Sequence, residues 1–271
     1  MILRLKDLSH ESMTQLRLFI GALRGQRVSY SQLGEDVWVM RNWMNVRRTD
    51  IVCMEIGAYD PYRYSNTYAL ERYLGARSIL VEPSLQGSLR ISKNRPRAEL
   101  YCAVASRDWG VISFVGDSAV AGIEANLSVE YLRRWELLAE SRRWVPSIPV
   151  KAIQAAEHLE YIDFLSVDVQ GAELEVLEGI DWRHPIGCIC IELENADSQK
   201  DEACRDFLQS HGYTFRSRLQ INEFWELPDY SRRDLIYRPD SVPRVESFIY
   251  PYLEPAASAQ VLAALESYNA G

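Results

Sequence analysis

The chain has no long uncharged apolar run, no excess of basic residues and no apolar core near its start that would resemble a signal peptide. No apolar run approaches the roughly 18 residues that a membrane-spanning helix needs. With 30 Lys and Arg against 38 Asp and Glu, the net charge is −8, which disfavours nucleic acid and acidic lipid surfaces as partners. We therefore expect a cytoplasmic protein without a transmembrane segment that acts on a small molecule.

Cysteine and histidine are also scarce, with five and four residues. The cysteines are odd in number, and four of them lie in apolar strand-like segments, which is typical of buried thiols in a reducing compartment. No additional Cys or His stands at a spacing typical of a metal site. A structural zinc site and a disulfide framework are therefore not expected.

What the chain does contain, from residue 51 onward, is an alternation of strand-like and helix-like segments. Apolar, β-branched runs stop at residues 56, 83, 104, 167 and 193, and most are followed by a helical pattern that ends in glycine. Such alternation predicts an α/β fold with a doubly wound, mostly parallel sheet. We expect helices at 65–74, 171–178 and 199–210.

The remaining segments are less regular. We predict a helix at about 127–143, an edge strand at 148–153 and closing strands at 213–218 and 234–238. The simplest organisation has an N-terminal helical lid segment (1–48), a main domain (49–240) with a capping insertion at about 116–147, and a C-terminal helical tail (241–271).

Acidic residues stand where four of the apolar runs end: Glu55, Glu82, Asp168 and the pair Glu192/Glu194. Ligands of open parallel sheets bind outside the carboxyl ends of the strands. We therefore expect these acids to share one site for a ligand that carries hydroxyl and amine donors.

The glycine-rich loop that binds a dinucleotide pyrophosphate is missing. Three glycines would be needed after the first strand, whereas Glu55-Ile56-Gly57-Ala58-Tyr59-Asp60-Pro61 contains one and is flanked by acids. Glu82 stands 25 residues after Gly57, a spacing at which an acid accepts both hydroxyls of a ribose, and Pro83 fixes the chain behind it. A nucleoside without phosphates fits this pattern, and S-adenosylmethionine, with its sulfonium and ammonium groups, is such a ligand.

Seven motifs in this order resemble the FkbM-type methyltransferases, a class I family that depends on S-adenosylmethionine. They cover roughly residues 28–240: YSQLGED (30–36), EIGAYDP (55–61), SNTYALE (65–71), VEP (81–83), AVAS (103–106), IDFLSVDVQGAELEVLEGID (162–181) and ICIELEN (189–195). Family members commonly have Glu at the position of Gln170. The resemblance implies a seven-stranded Rossmann-like sheet with an antiparallel last strand.

The resemblance also implies roles for individual residues in cofactor binding. Glu55, Gly57, Ala58 and Asp60 would form the first cofactor loop, and Asn66 and Thr67 would lie near the methionine part or the ribose. Glu82 would hold the ribose hydroxyls, while Ala103, Val104 and Ser106 would lie beside the adenine. Tyr30 and Gln32 would close over the cofactor, and Pro83 and Asp168 complete the predicted cofactor set.

Methyl transfer to an alcohol needs a base or a metal ion that handles the hydroxyl proton. We predict Asp168, Glu173 and Glu194 as catalytic residues, with three roles open for Asp168. It is a general base, or it binds Mg²⁺ together with Glu194 and Asn195 as in metal-dependent O-methyltransferases, or it only caps the following helix with Glu173.

The predicted function is O-methylation of a hydroxyl on a sugar, glycolipid or secondary metabolite, an acceptor class that comes from the resemblance. N-methylation stays open, as do a nicotinamide-dependent oxidoreductase and a non-catalytic binding protein on a similar fold. The aromatic residues Tyr131, Trp135 and Trp144 of the capping insertion either stack on the acceptor or pack the insertion itself.

Overall fold

The structure is a computed structural model that describes residues 10–137, 141–193, 198–253 and 255–267. Its strands are β1 (Arg27–Val28), β2 (Val52–Ile56), β3 (Arg77–Val81), β4 (Glu99–Tyr101), β5 (Val104–Ser106), β6 (Gly110–Val115), β7 (Gly122–Ile123), β8 (Arg142–Pro149), β9 (Ile162–Val167), β10 (Ile186–Glu192), β11 (Thr214–Leu219), β12 (Asn222–Glu226) and β13 (Phe248–Ile249). Its α-helices are α1 (His10–Leu23), α2 (Glu35–Asn42), α3 (Tyr68–Leu74), α4 (Leu85–Asn94), α5 (Val129–Arg134), α6 (Val150–Ala156), α7 (Glu173–Glu178), α8 (Ser198–Ser210), α9 (Arg233–Ile236) and α10 (Pro255–Ser267).

Seven strands form the central sheet in the order β11–β12–β10–β9–β2–β3–β4. Strands β10, β9, β2, β3 and β4 run parallel to one another, and β12 lies antiparallel between β10 and β11. Every residue of β2, β9 and β10 is buried, which explains their continuous apolar character, because helices cover both faces of such a sheet. The predicted doubly wound fold with an antiparallel last strand is confirmed.

The two faces of the sheet bury separate apolar clusters. Because strand side chains alternate, Cys53 and Phe164 face one cluster and Met54 and Leu165 face the other. The first cluster also contains apolar residues of α2 and of the C-terminal helix α10, and there Trp38 stacks on Phe224 with ring centroids 3.8 Å apart. In the same region, β1 pairs in parallel with β13.

A second sheet of four strands, in the order β5–β8–β6–β7, covers one end of the central sheet. The helix predicted at about 127–143 is present but shorter, since α5 spans only Val129–Arg134 and β8 begins at Arg142. The edge strand expected at 148–153 is wrong, because β8 ends at Pro149 and α6 starts directly after it. Pairing of β8 with both β5 and β6 is a long-range effect that overrides the local pattern.

The closing strands differ from the prediction at one of the two positions. The strand expected at 213–218 is present as β11, whereas residues 233–236 form the short helix α9. The antiparallel strand is β12. Its side chains alternate between the two faces of the sheet, with Phe224 in the first apolar cluster and Trp225 in the second. No helix among the described residues combines the length and the apolar character needed to cross a bilayer.

Asp163, fully buried on β9, ties the sheet to the segment that follows β12. Its carboxylate accepts hydrogen bonds from Val52 N (2.9 Å), the Tyr230 hydroxyl (2.7 Å) and Arg232 Nε (3.0 Å). We expect Asp163→Ala to lower the free energy of unfolding by about 3–5 kcal/mol, since Val52 N and the Tyr230 hydroxyl lose their acceptor and Arg232 loses one of its two carboxylate partners. Urea denaturation measures this change.

The control for this prediction is Glu246→Ala. Glu246 pairs with Arg244 at 4.0 Å, and both side chains are exposed, so its removal should barely change stability. Equal effects of the two substitutions would contradict the role that we assign to Asp163.

Candidate functional site

One cavity lies at the carboxyl ends of β2, β3, β9 and β10, and we call it the first cavity. Eight of the residues predicted to bind a cofactor line it: Gln32, Gly57, Ala58, Glu82, Pro83, Ala103, Val104 and Asp168. Six others do not reach its surface: Tyr30, Glu55, Asp60, Asn66, Thr67 and Ser106. Glu194 and Asn195 lie outside the described residues. The structure thus separates the predicted set into lining residues and residues behind the wall.

Gly57 is required by the tight approach of two strand ends. Its φ of +87° lies in the left-handed region, and a Cβ there would stand 1.8 Å from the Asp168 carbonyl oxygen. Gly57 N and Ala58 N both donate to Val81 O, at 2.9 and 3.1 Å. Only glycine therefore lets the loop after β2 fit between the ends of β3 and β9.

Glu55 holds the far side of this loop instead of facing the cavity. Its buried carboxylate accepts hydrogen bonds from Asn66 N (2.6 Å), the Ser65 hydroxyl (2.8 Å) and the Thr67 hydroxyl (2.5 Å). Arg95 lies 3.8 Å from it and also donates to the Ser65 and Thr67 hydroxyls. This buried network fixes where residues 57–67 run.

Asp60 and Asn66 lie in the same segment, residues 57–67, and neither lines the first cavity. The Asp60 carboxylate accepts from Tyr62 N (3.0 Å) and Arg63 N (2.9 Å), which closes a turn. Asn66 Nδ2 donates to the Ser166 hydroxyl (3.0 Å), whereas its buried Oδ1 has no partner among the described residues. Asn66 thus keeps one acceptor unsatisfied just behind the cavity wall.

Glu82 enters the first cavity with both carboxylate oxygens already bound to backbone. Tyr59 N and Ser84 N each donate to it at 2.7 Å. Burial raises the pKa of Glu82, while these two N–H groups oppose the rise. Each carboxylate oxygen has a further lone pair, so Glu82 is a fixed acceptor at the end of β3.

Gln170 bridges two carboxylates at the opposite side of the cavity. Its amide Nε2 donates to Asp168 Oδ1 (3.0 Å) and to Glu192 Oε1 (3.2 Å), while its Oε1 accepts from the Tyr131 hydroxyl. The side-chain NH₂ group of Gln170 therefore lies between the two carboxylates, at the place where a cation would otherwise bind. Among the described residues no group of three or more His, Cys, Asp or Glu could hold a metal ion. The Mg²⁺ prediction is therefore not supported, and two of its three ligands, Glu194 and Asn195, lie outside the described residues.

Strained backbone concentrates around the first cavity. Tyr59, Tyr64 and Gln170 line it and have φ angles of 51°, 67° and 55°. Bulky residues adopt such angles rarely, at a cost of roughly 1–3 kcal/mol each, and they do so most often at functional sites.

Gln32 lines the first cavity and belongs to the segment before α2, which the buried carboxylates of Glu35 and Asp36 hold in place. Asp36 accepts from Tyr30 N (2.7 Å) and from the Ser29 and Ser31 hydroxyls (2.7 and 2.8 Å). Glu35 accepts from Leu33 N (2.8 Å) and from Asn222 Nδ2 (2.6 Å), and its burial raises its pKa to about 7. These bonds join the segment before α2 to β12.

A second cavity adjoins the first, and Gln170 and Glu192 line both. Glu173, one of the predicted catalytic residues, lines the second cavity and not the first. Its Oε1 accepts from Gly171 N (2.9 Å), so it also closes the turn before α7. Burial raises the pKa of Glu173 to about 7, and the Asp168 charge adds to the rise.

Sequence reasoning predicted a capping insertion but did not identify which of its residues line the first cavity. Phe114, Ser118, Ala119, Val120, Ala121 and Ile123 of the capping region line it, as do Tyr59, Tyr64 and Ile221. Phe114 belongs to VISFV (111–115), a run that alternates in sequence but whose place in the cavity wall was not predicted. Of the three aromatic residues considered there, Trp135 lines the first cavity and Tyr131 the second, whereas Trp144 is 71% exposed.

Comparison with known families agrees with the motifs quoted above. The model of the family described as "Methyltransferase FkbM domain" matches residues 55–215, more than half of the chain. The chain belongs to this FkbM methyltransferase family. No curated protein matches the sequence.

Solved structures similar to this FkbM-family chain are distant. The methyltransferase FkbM from Methylobacillus flagellatus KT is 13% identical with a TM-score of 0.42, and the match covers 70% of this chain but only 47% of that one. A methyltransferase from Pyrococcus furiosus is 12% identical (79% and 97% covered, TM-score 0.38). Aeropyrum pernix fibrillarin, solved with natively bound S-adenosyl-L-methionine, is 11% identical (72% and 73% covered, TM-score 0.39). Matches this weak carry no argument about function.

The raised pKa of Glu173 has a consequence for stability. Because the folded state binds this proton more tightly than the unfolded state, the free energy of unfolding falls as the pH rises from about 4.5 to about 7. Glu173→Gln cannot ionise, so we expect the loss of stability between pH 5 and pH 8 to shrink by about 2 kcal/mol. Urea titrations at both pH values measure it.

Glu160→Gln, at an exposed position, serves as the control and should keep the wild-type pH dependence. If Glu173→Gln also kept it, the carboxyl of Glu173 would have to titrate near its usual pKa in the folded protein.

Proposed function

We propose that this chain binds S-adenosylmethionine in the first cavity and transfers its methyl group to a hydroxyl of a small molecule. One observation carries the proposal: a largely apolar cavity with a fixed acceptor, Glu82, and without a Lys, Arg or His among its described lining residues. An adenosine and a positively charged sulfur fit such a cavity, whereas the only charged side chains that a pyrophosphate would meet among the described lining residues are carboxylates.

Each wall of the cavity suits one part of this cofactor. Glu82 would accept the ribose hydroxyls, and the apolar surface of Ala103, Val104 and Phe114 would cover the adenine. Asp168 and Gln170, across the cavity, would lie on the side of the reacting methyl group. Glu55 would act indirectly, since it holds residues 65–67 in place.

When bound, S-adenosylmethionine would supply a methyl group to the acceptor oxygen, and the electron pair of its carbon–sulfur bond would pass to sulfur. The hydroxyl proton needs an acceptor in the chain. We assign it to the Asp168 carboxylate, which Gln170 Nε2 holds by a hydrogen bond. Glu173 is the second candidate, because its pKa of about 7 suits a base that works near neutral pH.

A nicotinamide-dependent oxidoreductase is the rival for the first cavity. Thermal-shift titration separates the two, since S-adenosylhomocysteine should stabilise the protein and NAD⁺ should not. Stabilisation by NAD⁺ alone would overturn the proposal, and no response to millimolar S-adenosylhomocysteine would leave only a non-catalytic binding role.

Removal of the Glu82 carboxylate tests the ribose contact. We expect Glu82→Ala to weaken S-adenosylhomocysteine binding by about 1–3 kcal/mol, the cost of leaving buried hydroxyls unpaired. Isothermal titration calorimetry measures the difference. Glu99→Ala, at the amino end of the neighbouring strand β4, should bind like wild type, and equal affinities of all three proteins would make Glu82 a purely structural acid.

Asp168→Asn tests the proton acceptor. We expect the variant to keep its affinity for S-adenosylhomocysteine within about threefold and to lose methyl transfer by a factor of about 10² or more. The transfer rate is measured with S-adenosyl[methyl-³H]methionine and a hydroxyl compound that the wild-type protein methylates. Full turnover would instead support a capping role.

Two further measurements sort the alternatives for Asp168. If the turnover of wild type depends on a group that titrates near pH 7, and Glu173→Gln abolishes this dependence, the proton acceptor would be Glu173. Loss of wild-type turnover in EDTA, with recovery on adding Mg²⁺, would support the magnesium site with Glu194 and Asn195.

A further inference from the structure

Two lining residues of the first cavity come from segments that lie far apart in the chain. Gln32 belongs to the segment before α2, and Ile221 lies in the turn between β11 and β12. Their relative position therefore depends on non-covalent contacts between these two segments.

Glu35, which is only 1% exposed, supplies such a contact. Its Oε2 accepts a hydrogen bond from Leu33 N at 2.8 Å, and its Oε1 accepts one from Asn222 Nδ2 at 2.6 Å. Leu33 follows Gln32 directly in the chain, and Asn222 follows Ile221. A single carboxyl group thus bridges the residues that stand next to the two lining residues.

The turn that carries Ile221 is fixed to the central sheet. Ile221 O accepts from Leu193 N at 2.8 Å, and Asn222 stands opposite Glu192 in the antiparallel ladder between β10 and β12. Glu192 lines the first cavity itself. Through Glu35, the segment before α2 is therefore joined to the sheet where the sheet forms the cavity wall.

The neighbouring buried carboxylate, Asp36, has a different role. Among the described residues, its hydrogen-bond donors belong to the segment itself and to the first turn of α2: Ser29, Tyr30, Ser31 and Val37. These bonds shape the segment, whereas the bond between Glu35 and Asn222 connects it to β12. Loss of the Glu35 bridge should therefore loosen the segment against β12 without unfolding it.

We propose that Glu35 is a positioning residue that holds Gln32 and Ile221 together at the first cavity and thereby slows the dissociation of the bound cofactor. The proposal rests on the proposed function of the first cavity. Glu35 is not one of the described residues that line this cavity, so it acts through the two that do.

The bridge depends on hydrogen bonding and not on the charge of Glu35. Burial raises the pKa of Glu35 to about 7, so the carboxyl group carries a proton in part of the molecules at neutral pH. A protonated carboxyl, like the side chain of glutamine, still has an oxygen that accepts from Leu33 N, and it can donate to the Asn222 oxygen once that amide turns over. Glu35→Gln should therefore keep both contacts, whereas Glu35→Ala removes both.

The dissociation rate of S-adenosylhomocysteine from the full chain, measured by surface plasmon resonance, tests the proposal. We expect Glu35→Ala to raise this rate about tenfold, the effect of losing one buried hydrogen bond, and Glu35→Gln to stay within about twofold of wild type. An unchanged rate in Glu35→Ala would overturn the proposal. Equal acceleration by both substitutions would overturn it as well, since the lost charge would then be the cause.

Asn222→Ala breaks the same bridge from β12 and serves if Glu35→Ala does not fold. It should also speed dissociation. The double variant should dissociate no more than about twofold faster than Glu35→Ala, because both changes remove one shared contact. Effects that multiply, or no effect of Asn222→Ala, would contradict the bridge.

Asp163→Ala is the matched control for a merely structural effect. Asp163 is also a buried carboxylate, but it lies near the amino end of β9, at the edge of the sheet opposite the cavity. Its loss should leave the dissociation rate unchanged at a temperature where the variant is folded, and acceleration equal to that of Glu35→Ala would overturn the proposal. If S-adenosylhomocysteine does not bind wild type, the proposed function fails and this inference with it, whereas binding with an unchanged rate in Glu35→Ala refutes this inference alone.

Discussion

The buried carboxylate of Glu55 is the contact on which the shape of the first cavity depends. It gathers Ser65, Asn66 and Thr67 into one cluster of hydrogen bonds, and Arg95 compensates its charge. With both ends of residues 57–67 fixed, Tyr59 and Tyr64 are held in left-handed conformations against the cavity. A buried charge that is fully paired makes the wall of the site stiff, which is how proteins hold binding groups in place before a ligand arrives.

The parallel strands could be predicted from sequence because a strand buried on both faces is a continuous apolar run. Segments such as Val52–Ile56 and Ile162–Val167 are apolar at nearly every position, and acids follow them at the edge where sites form. The antiparallel last strand was implied by the family resemblance, although its position was misplaced by about ten residues. Local pattern alone does not distinguish residues 222–226 from 234–238, since pairing with β10 and β11 decides between them.

The parts of the site that escaped prediction all depend on distant contacts. Glu55 and Glu82 look alike in sequence, each near the end of an apolar run, yet one faces the loop at 65–67 and the other the cavity. Gln170 differs from the common family residue by an amide, and its value as a bridge follows only from where Asp168, Glu192 and Tyr131 lie in space. The cover formed by β5–β8 could not be anticipated because β8 pairs with β5 and β6, which both precede the segment that was assigned to a helix.

The parallel pairing of Arg27–Val28 with Phe248–Ile249 has a consequence for the order of events during synthesis. Translation proceeds from the N-terminus, so α2, with its large apolar residues Trp38 and Met40, leaves the ribosome some two hundred residues before the C-terminal helix that shares its core. Until then those side chains lack much of their final cover. During synthesis the nascent chain therefore exposes apolar side chains that become buried only when the C-terminal helix has been made.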